Sequence, residues 1–133
     1  MIKFCKGYKN DVGIDIVLDE DTIFKPFETK VIDIKTGIKT RKKISVMLCA
    51  RTSAAKLGLI VNQCPIDPGY TGNIHIIAHN CSNNTLSFPA GKAFAQLYAF
   101  RFSKPGVKYL IKNNFDRKDK NFGSSDVNFN RRQ

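Results

Sequence analysis

Apolar residues arrive along this chain in short bursts that are β-branched or alternate with polar positions, the pattern of strands rather than helices. Gly13–Leu18 alternates weakly, and Lys30–Ile34 and Ile44–Ala50 are β-branched or apolar runs. Leu59–Asn62, Asn73–Asn80, Leu86–Phe88 and Phe94–Phe102 follow at short intervals with turn residues between them. Helical spacing is nearly absent: Ser53–Leu57 has room for about one turn before Gly58 stops it. Many short strands so spaced predict an all-β fold, a sandwich or barrel.

The pattern changes near Asn113, where Asn, Lys, Arg, Asp, Gly and Ser displace the apolar residues and only Phe115, Phe122, Val127 and Phe129 remain to pack. This predicts a β domain over residues 1–112 and a flexible C-terminal tail over 113–133. With 133 residues, 42% of them hydrophobic, the chain has material for about one domain and a modest core. No apolar run approaches the ~20 residues of a membrane span. The start, Met1-Ile2-Lys3-Phe4-Cys5-Lys6, is too short and charged for a signal peptide, so the expectation is a soluble intracellular protein with no membrane partner.

Cys5, Cys49, Cys64 and Cys81 are scattered without a CxxC pair, which suits reduced thiols packed as small hydrophobes. A net charge of +11 creates a field that speeds the arrival of polyanions without saying which. The basic run Lys39–Lys43 suits a solvated hairpin tip, and aromatics are not interleaved with the basic residues, so a nucleic-acid partner is not expected. Asp19-Glu20-Asp21 reads as a solvated turn. His75 and His79, four apart on one strand face, stand about 13 Å from each other, too far to share a metal.

Candidate chemistry concentrates between Ala50 and His79. Ala50-Arg51-Thr52-Ser53-Ala54 offers a guanidinium, two hydroxyls and the amides of a helical start to phosphate oxygens. Ile66-Asp67-Pro68-Gly69-Tyr70-Thr71-Gly72-Asn73 holds a lone carboxylate in a rigid turn, where it could deprotonate a water. Taken alone, an Asp-Pro-Gly aspartate also suits an ordinary turn that hydrogen-bonds its own backbone.

Five ordered segments make the chain resemble the trimeric dUTPases and the wider group that includes dCTP deaminase. They are Val12-Gly13-Ile14-Asp15-Ile16, Ala50–Ala54, Ile66–Asn73, Gly91–Leu97 with Ala95-Gln96-Leu97, and Arg117–Ser125 ending Phe122-Gly123-Ser124-Ser125. The resemblance implies a β-clip or distorted jelly-roll-like barrel, a homotrimer whose active sites draw segments from three chains, and hydrolysis of dUTP to dUMP and pyrophosphate. It implies Asp67 as the base that activates water, with Asp15 helping to organise the phosphate end. Mg²⁺ is the implied cofactor, bound through phosphates and water rather than a protein cage, with Asp15 nearby.

By the same resemblance Arg51, Thr52, Ser53 and Gln96 serve the phosphates, and Tyr70 packs on the deoxyribose. Main-chain groups near Val61–Cys64 and Gly72–Ile74 read uracil, with Asn62 and Asn73 beside them. Arg117, Phe122, Gly123, Ser124 and Ser125 close over the bound nucleotide. The chain departs from the family at Ile14, Cys64-Pro65, Lys92-Ala93, the spacer Lys118–Asn121 and Ser125-Asp126. A nucleotide- or partner-binding module of the same fold with weak or no turnover is the alternative. Deamination is disfavoured, because the glutamate that shuttles protons in the deaminase branch is replaced by Ile77, ten positions beyond Asp67.

Overall fold

Eleven short elements, ten of them strands, account for the regular structure in the computed structural model, which describes residues 2–103. In chain order they are β1 (Lys3–Cys5), β2 (Ile14–Val17), β3 (Thr22–Phe24), β4 (Thr29–Asp33), β5 (Ile44–Ala50), α1 (Thr52–Lys56), β6 (Leu59–Val61), β7 (Pro65–Ile66), β8 (His75–Asn80), β9 (Leu86–Phe88) and β10 (Ala95–Arg101). They form three antiparallel sheets in the orders β1-β2-β10-β5-β7, β4-β8-β6 and β3-β9. The fold is all-β, as the spacing of apolar bursts predicts.

The core lies between the sheets. Ile16, Leu48 and Leu97 from the five-stranded sheet meet Leu59, Ile76 and Ala78 from the three-stranded one. Phe24, Phe88 and Phe94 close one end, with ring centroids 5.0–6.1 Å apart and the two Phe24 contacts edge-to-face. Truncating Phe24, fully buried, would cost about 3–5 kcal/mol from lost burial and a cavity. Asn80, also fully buried, donates to the Phe24, Lys25 and Asn84 carbonyls and accepts from the Ser82 amide and hydroxyl, so its desolvation is offset by bonds at both ends of the amide.

The strands expected at Ile44–Ala50 and Leu86–Phe88 form with those bounds. β8 begins at His75 rather than Asn73, and β10 at Ala95 rather than Phe94, whose carbonyl accepts the Arg51 amide instead of a ladder bond. The helical turn covers Thr52–Lys56; Leu57 caps it, and Gly58 leaves the helix at φ +101°, where a side chain would be strained. Three strands had no sequence signal. β1 is an exposed edge, β3 spans three residues, and β7 contains a proline, which reads as a turn.

The basic residues Lys39, Arg41, Lys42 and Lys43 are exposed between β4 and β5, in a turn where the Ile44 amide donates to the Arg41 carbonyl. In the acidic turn, the Asp21 carboxylate accepts the Ala90 amide. On the outer face of β8, His79 shares a hydrogen bond with Thr29, and His75 lies beside Asp33.

Candidate functional site

Arg51 stands where β5 ends and α1 begins. Its backbone is extended, and its amide donates to the Phe94 carbonyl at 2.9 Å, which anchors the turn to the start of β10. The side chain reaches across to β2: Nε lies 3.2 Å from Asp15 Oδ1, while Nη1 donates a longer bond to the Ala93 carbonyl at 3.4 Å. Two of the guanidinium's groups are thus held by protein, which fixes its plane.

Asp15 owes its place to strand register. It pairs with Gln96, which pairs in turn with Cys49, so the three form one row across β2, β10 and β5. Gln96 does not wait on a ligand for its partner: Nε2 donates to the Ala50 carbonyl at 3.0 Å, bracing the residue before Arg51. Gly13 leaves the room this requires, since a Cβ there would overlap Gln96 Oε1. Burial pushes the Cys49 thiol pKa up, and the neighbouring Gln96 side chain draws it partly back.

Asp15, Arg51, Thr52, Ser53 and Gln96 line one cavity of about 370 Å³, so residues from three of the sequence segments converge there. Tyr8 and Asp11 line it as well. Sequence reasoning missed both, because they lie in a turn, closed by Asp11 Oδ2 accepting the Tyr8 amide, that carries no periodic signal.

The carboxylate turn forms a second cavity of about 240 Å³, in which Asp67 is joined by Tyr70, Asn73, Cys64, His75 and Ile77. The Asp67 carbonyl accepts the Tyr70 amide at 3.1 Å, and Gly69 supplies the φ of +90° the turn needs. Asp67 itself is exposed. Tyr70, 47% exposed, donates its hydroxyl to the Asn73 carbonyl at 2.9 Å. The ring lies over Gly72, where a Cβ would stand 2.5 Å from its hydroxyl oxygen. Asn62 is exposed; its amide nitrogen donates to the Ile77 carbonyl at 2.8 Å and its side chain to the Cys64 sulfur at 2.9 Å.

The two cavities share no lining residue. The reason is the antiparallel pairing of β7 with β5, which sets Ile66 opposite Val46 and so sends Asp67 toward the start of β5 while Arg51 follows its end. At the rise of a strand, six residues of β5 separate the two positions by roughly 20 Å. Arg117, Phe122, Gly123, Ser124 and Ser125 lie outside the described residues.

No group of three or more His, Cys, Asp or Glu residues is placed to hold a metal ion among the described residues. Asp11 and Asp15 do line the Arg51 cavity, a donor set that suits a hard cation carried mainly by phosphate and water oxygens.

The described residues thus form a small, distorted jelly-roll-like β domain with a guanidinium turn after the end of β5 and a carboxylate turn beside its start. The dUTPase family model matches residues 1–126, and the chain belongs to that family. The Pol polyprotein of Equine infectious anemia virus (strain Wyoming) is 30% identical over 118 residues, covering 88% of this chain and 10% of the polyprotein. The dCTP deaminase, dUMP-forming, of Nanoarchaeum equitans (strain Kin4-M) is 29% identical over 116 residues, 85% of this chain and 59% of that protein. This chain therefore spans about a tenth of the polyprotein it matches.

Among solved structures, native EIAV dUTPase superposes with a TM-score of 0.71 at 28% identity, over 76% of this chain and 84% of that one. A dUTPase from phage phi11 of S. aureus, whose structure concerns the coordination of a structural Mg(II) ion, superposes at 0.69 with 21% identity, over 77% and 84%. The latter likeness is one of fold.

Proposed function

We propose that the protein is a dUTP diphosphatase that works as a homotrimer. The observation that carries this reading is the division of the family's residues between two cavities at opposite ends of β5. A carboxylate that activates water and a guanidinium that holds the phosphates must act within a few ångströms of one triphosphate, and about 20 Å of strand keeps them apart within a chain. A second copy brings the Arg51 cavity of one subunit to the Asp67 cavity of another, and the site is incomplete without it.

In that combined site a water oxygen attacks the α-phosphorus, and Asp67 takes its proton. The bond from the α-phosphorus to the bridging oxygen breaks, and pyrophosphate leaves with the electron pair. Arg51, Thr52, Ser53 and Gln96 belong to the phosphate side. Tyr70 packs against the deoxyribose where a 2′-hydroxyl would collide, and Asn62 and Asn73 flank the base. Asp15 would stand near a Mg²⁺ carried by the phosphates, which when bound would supply charge neutralisation there. Arg117, Phe122, Gly123, Ser124 and Ser125 are proposed to close over the nucleotide.

Deamination is the rival chemistry within the likenesses reported above. Ile77 lines the Asp67 cavity where that chemistry needs an acid–base group, and an aliphatic side chain moves no proton.

Product analysis with dUTP, dCTP, dTTP and UTP in Mg²⁺, beside sedimentation of the purified chain, tests the proposal. The expected result is dUMP and pyrophosphate from dUTP, little turnover of dTTP or UTP, no ammonia from dCTP, and a trimeric mass. Binding of dUTP without hydrolysis would favour the non-catalytic module, and a stable monomer with full activity would refute the shared site.

A further inference from the structure

Behind Tyr70 stands a polar cluster in which Asp33 and His75, outside every family segment, hold Asn73 of the third segment. Tyr70 donates to the Asn73 carbonyl, and the same carbonyl accepts a second bond, at 3.2 Å, from Nδ1 of His75. The Asn73 side-chain amide donates to Asp33 Oδ2 at 3.4 Å, and His75 Nε2 lies 3.7 Å from that same oxygen. Asp33 is held in its turn, because Oδ1 accepts the Lys35 amide at 2.8 Å. Asn73 is therefore gripped at its backbone by an imidazole and at its side chain by a carboxylate, and those two groups face each other.

The backbone makes the cluster stiff. The Ile34 amide donates to the Ile74 carbonyl, and the Ile74 amide returns a bond to the Thr36 carbonyl, tying the end of β4 to the residue after Asn73. Register places Asp33 opposite His75. Lys35 has φ +57°, a left-handed conformation that the bond to Asp33 helps to hold. Gly37 packs so closely that a Cβ on it would stand 2.8 Å from the Gly72 carbonyl, and Gly72 is in turn the residue packed against Tyr70. The Asp33 carboxyl pKa is held below the usual carboxylate range, first by the Lys35 amide and then by Asn73 and His75, which agrees with a carboxylate engaged on several sides.

We propose that Asp33 and His75 are positioning residues that hold the Tyr70–Asn73 turn, and through it set the preference for deoxyribose over ribose nucleotides. The inference rests on the reading of Tyr70 as the sugar-packing residue. A phenol that must reject a ribose hydroxyl has to keep its place when the hydroxyl presses on it. A turn fastened only by Tyr70 and Asn73 could yield; one fastened to β4 and β8 cannot do so without breaking bonds to Asp33 and His75. Both groups are about half exposed, so each acts on selectivity by a modest factor and not as an on–off switch.

The experiment compares the wild type with Asp33→Ala, His75→Phe, Asp33→Asn and His75→Gln, the last two keeping hydrogen-bonding capacity. For each, kcat/KM is measured with dUTP and with UTP. The expected result is a fall in the dUTP-to-UTP ratio of about three- to tenfold for Asp33→Ala and His75→Phe, with most of the ratio kept in Asp33→Asn and His75→Gln. A merely structural role lowers kcat/KM for both substrates together, and an unchanged ratio in both Asp33→Ala and His75→Phe overturns the proposal. A second readout needs no substrate. In the free protein, the Asn73 side-chain amide and Tyr70 ring resonances are expected to move in Asp33→Ala. If they do not move, the proposal fails even where dUTP is hydrolysed. If they move in Asp33→Ala while the wild type leaves dUTP untouched, the diphosphatase reading fails and the clamp stands, but its role in sugar choice is overturned.

Discussion

Arg51 Nε lies 3.2 Å from Asp15 Oδ1, so the guanidinium is aimed by a carboxylate two strands away before any ligand arrives. The pair is partly exposed, 39% for Arg51 and 26% for Asp15, which keeps its energy near the low end for ion pairs. Its service is orientation. Asp15→Asn keeps the shape and removes the charge, so the fold should persist while KM for dUTP rises roughly three- to tenfold, equivalent to about 1 kcal/mol. Steady-state kinetics with a thermal melt checks this, and an unchanged KM would separate Asp15 from the phosphate side.

Gly13 controls the same cavity from the other direction. A methyl group there overlaps Gln96 Oε1, and Gln96 cannot retreat without releasing the Ala50 carbonyl that precedes Arg51. Gly13→Ala is expected to cost about 1–3 kcal/mol of stability by overpacking and to lower kcat/KM about tenfold. In the double variant with Gln96→Ala, part of that loss should disappear, because the clash has been removed. Strict additivity of the two effects would show that the glycine acts elsewhere.

Asp33 gives the fold a pH signature. Its carboxyl pKa is lowered in the folded chain by the Lys35 amide, Asn73 and His75, so the ionised form is favoured by folding. A depressed folded value makes this contribution complete above the ordinary carboxylate pKa of about 4, and it fades as pH falls through the folded value. The stability gap between wild type and Asp33→Asn should therefore be largest near neutrality and close in acid. Denaturant titrations from pH 7 down to pH 3 measure it, and a gap that widened in acid would reverse the assignment.

Strands with several consecutive apolar or β-branched residues were legible in the sequence, because such runs bury well on a pleated sheet; Ile44–Ala50 is the clearest. β1, β3 and β7 were not: β1 and β3 are three-residue strands set among charged and turn residues, and the proline of β7 signals the opposite. Arg51 and Asp67 stood out as candidates for a different reason: each lies in a local turn whose residues are adjacent in sequence. Their separation was not. Sixteen positions apart in the chain, they appear as neighbours, and only the reversal of β7 against β5 sends them to opposite ends of one strand. The partnership of Asp33 with His75 escaped notice likewise, because it exists only through the pairing of β4 with β8.

That separation can be tested with two inactive proteins. Asp67→Asn should bind nucleotide and fold normally but lose at least about a hundredfold in turnover, having kept the shape of the base without its basicity. Arg51→Ala should fail through its own cavity, with Asp67 intact. If each active site takes Asp67 from one subunit and Arg51 from another, mixing the two variants in equal amounts under conditions that exchange subunits leaves about a quarter of the sites with both native residues. Activity should then return to about a quarter of the wild-type value, although neither component has any to contribute. Sites built within a single chain would stay dead in every mixture, since every chain carries one lesion. No recovery after proven subunit exchange would place Asp67 and Arg51 in the same chain's site, against the roughly 20 Å of strand that lies between them.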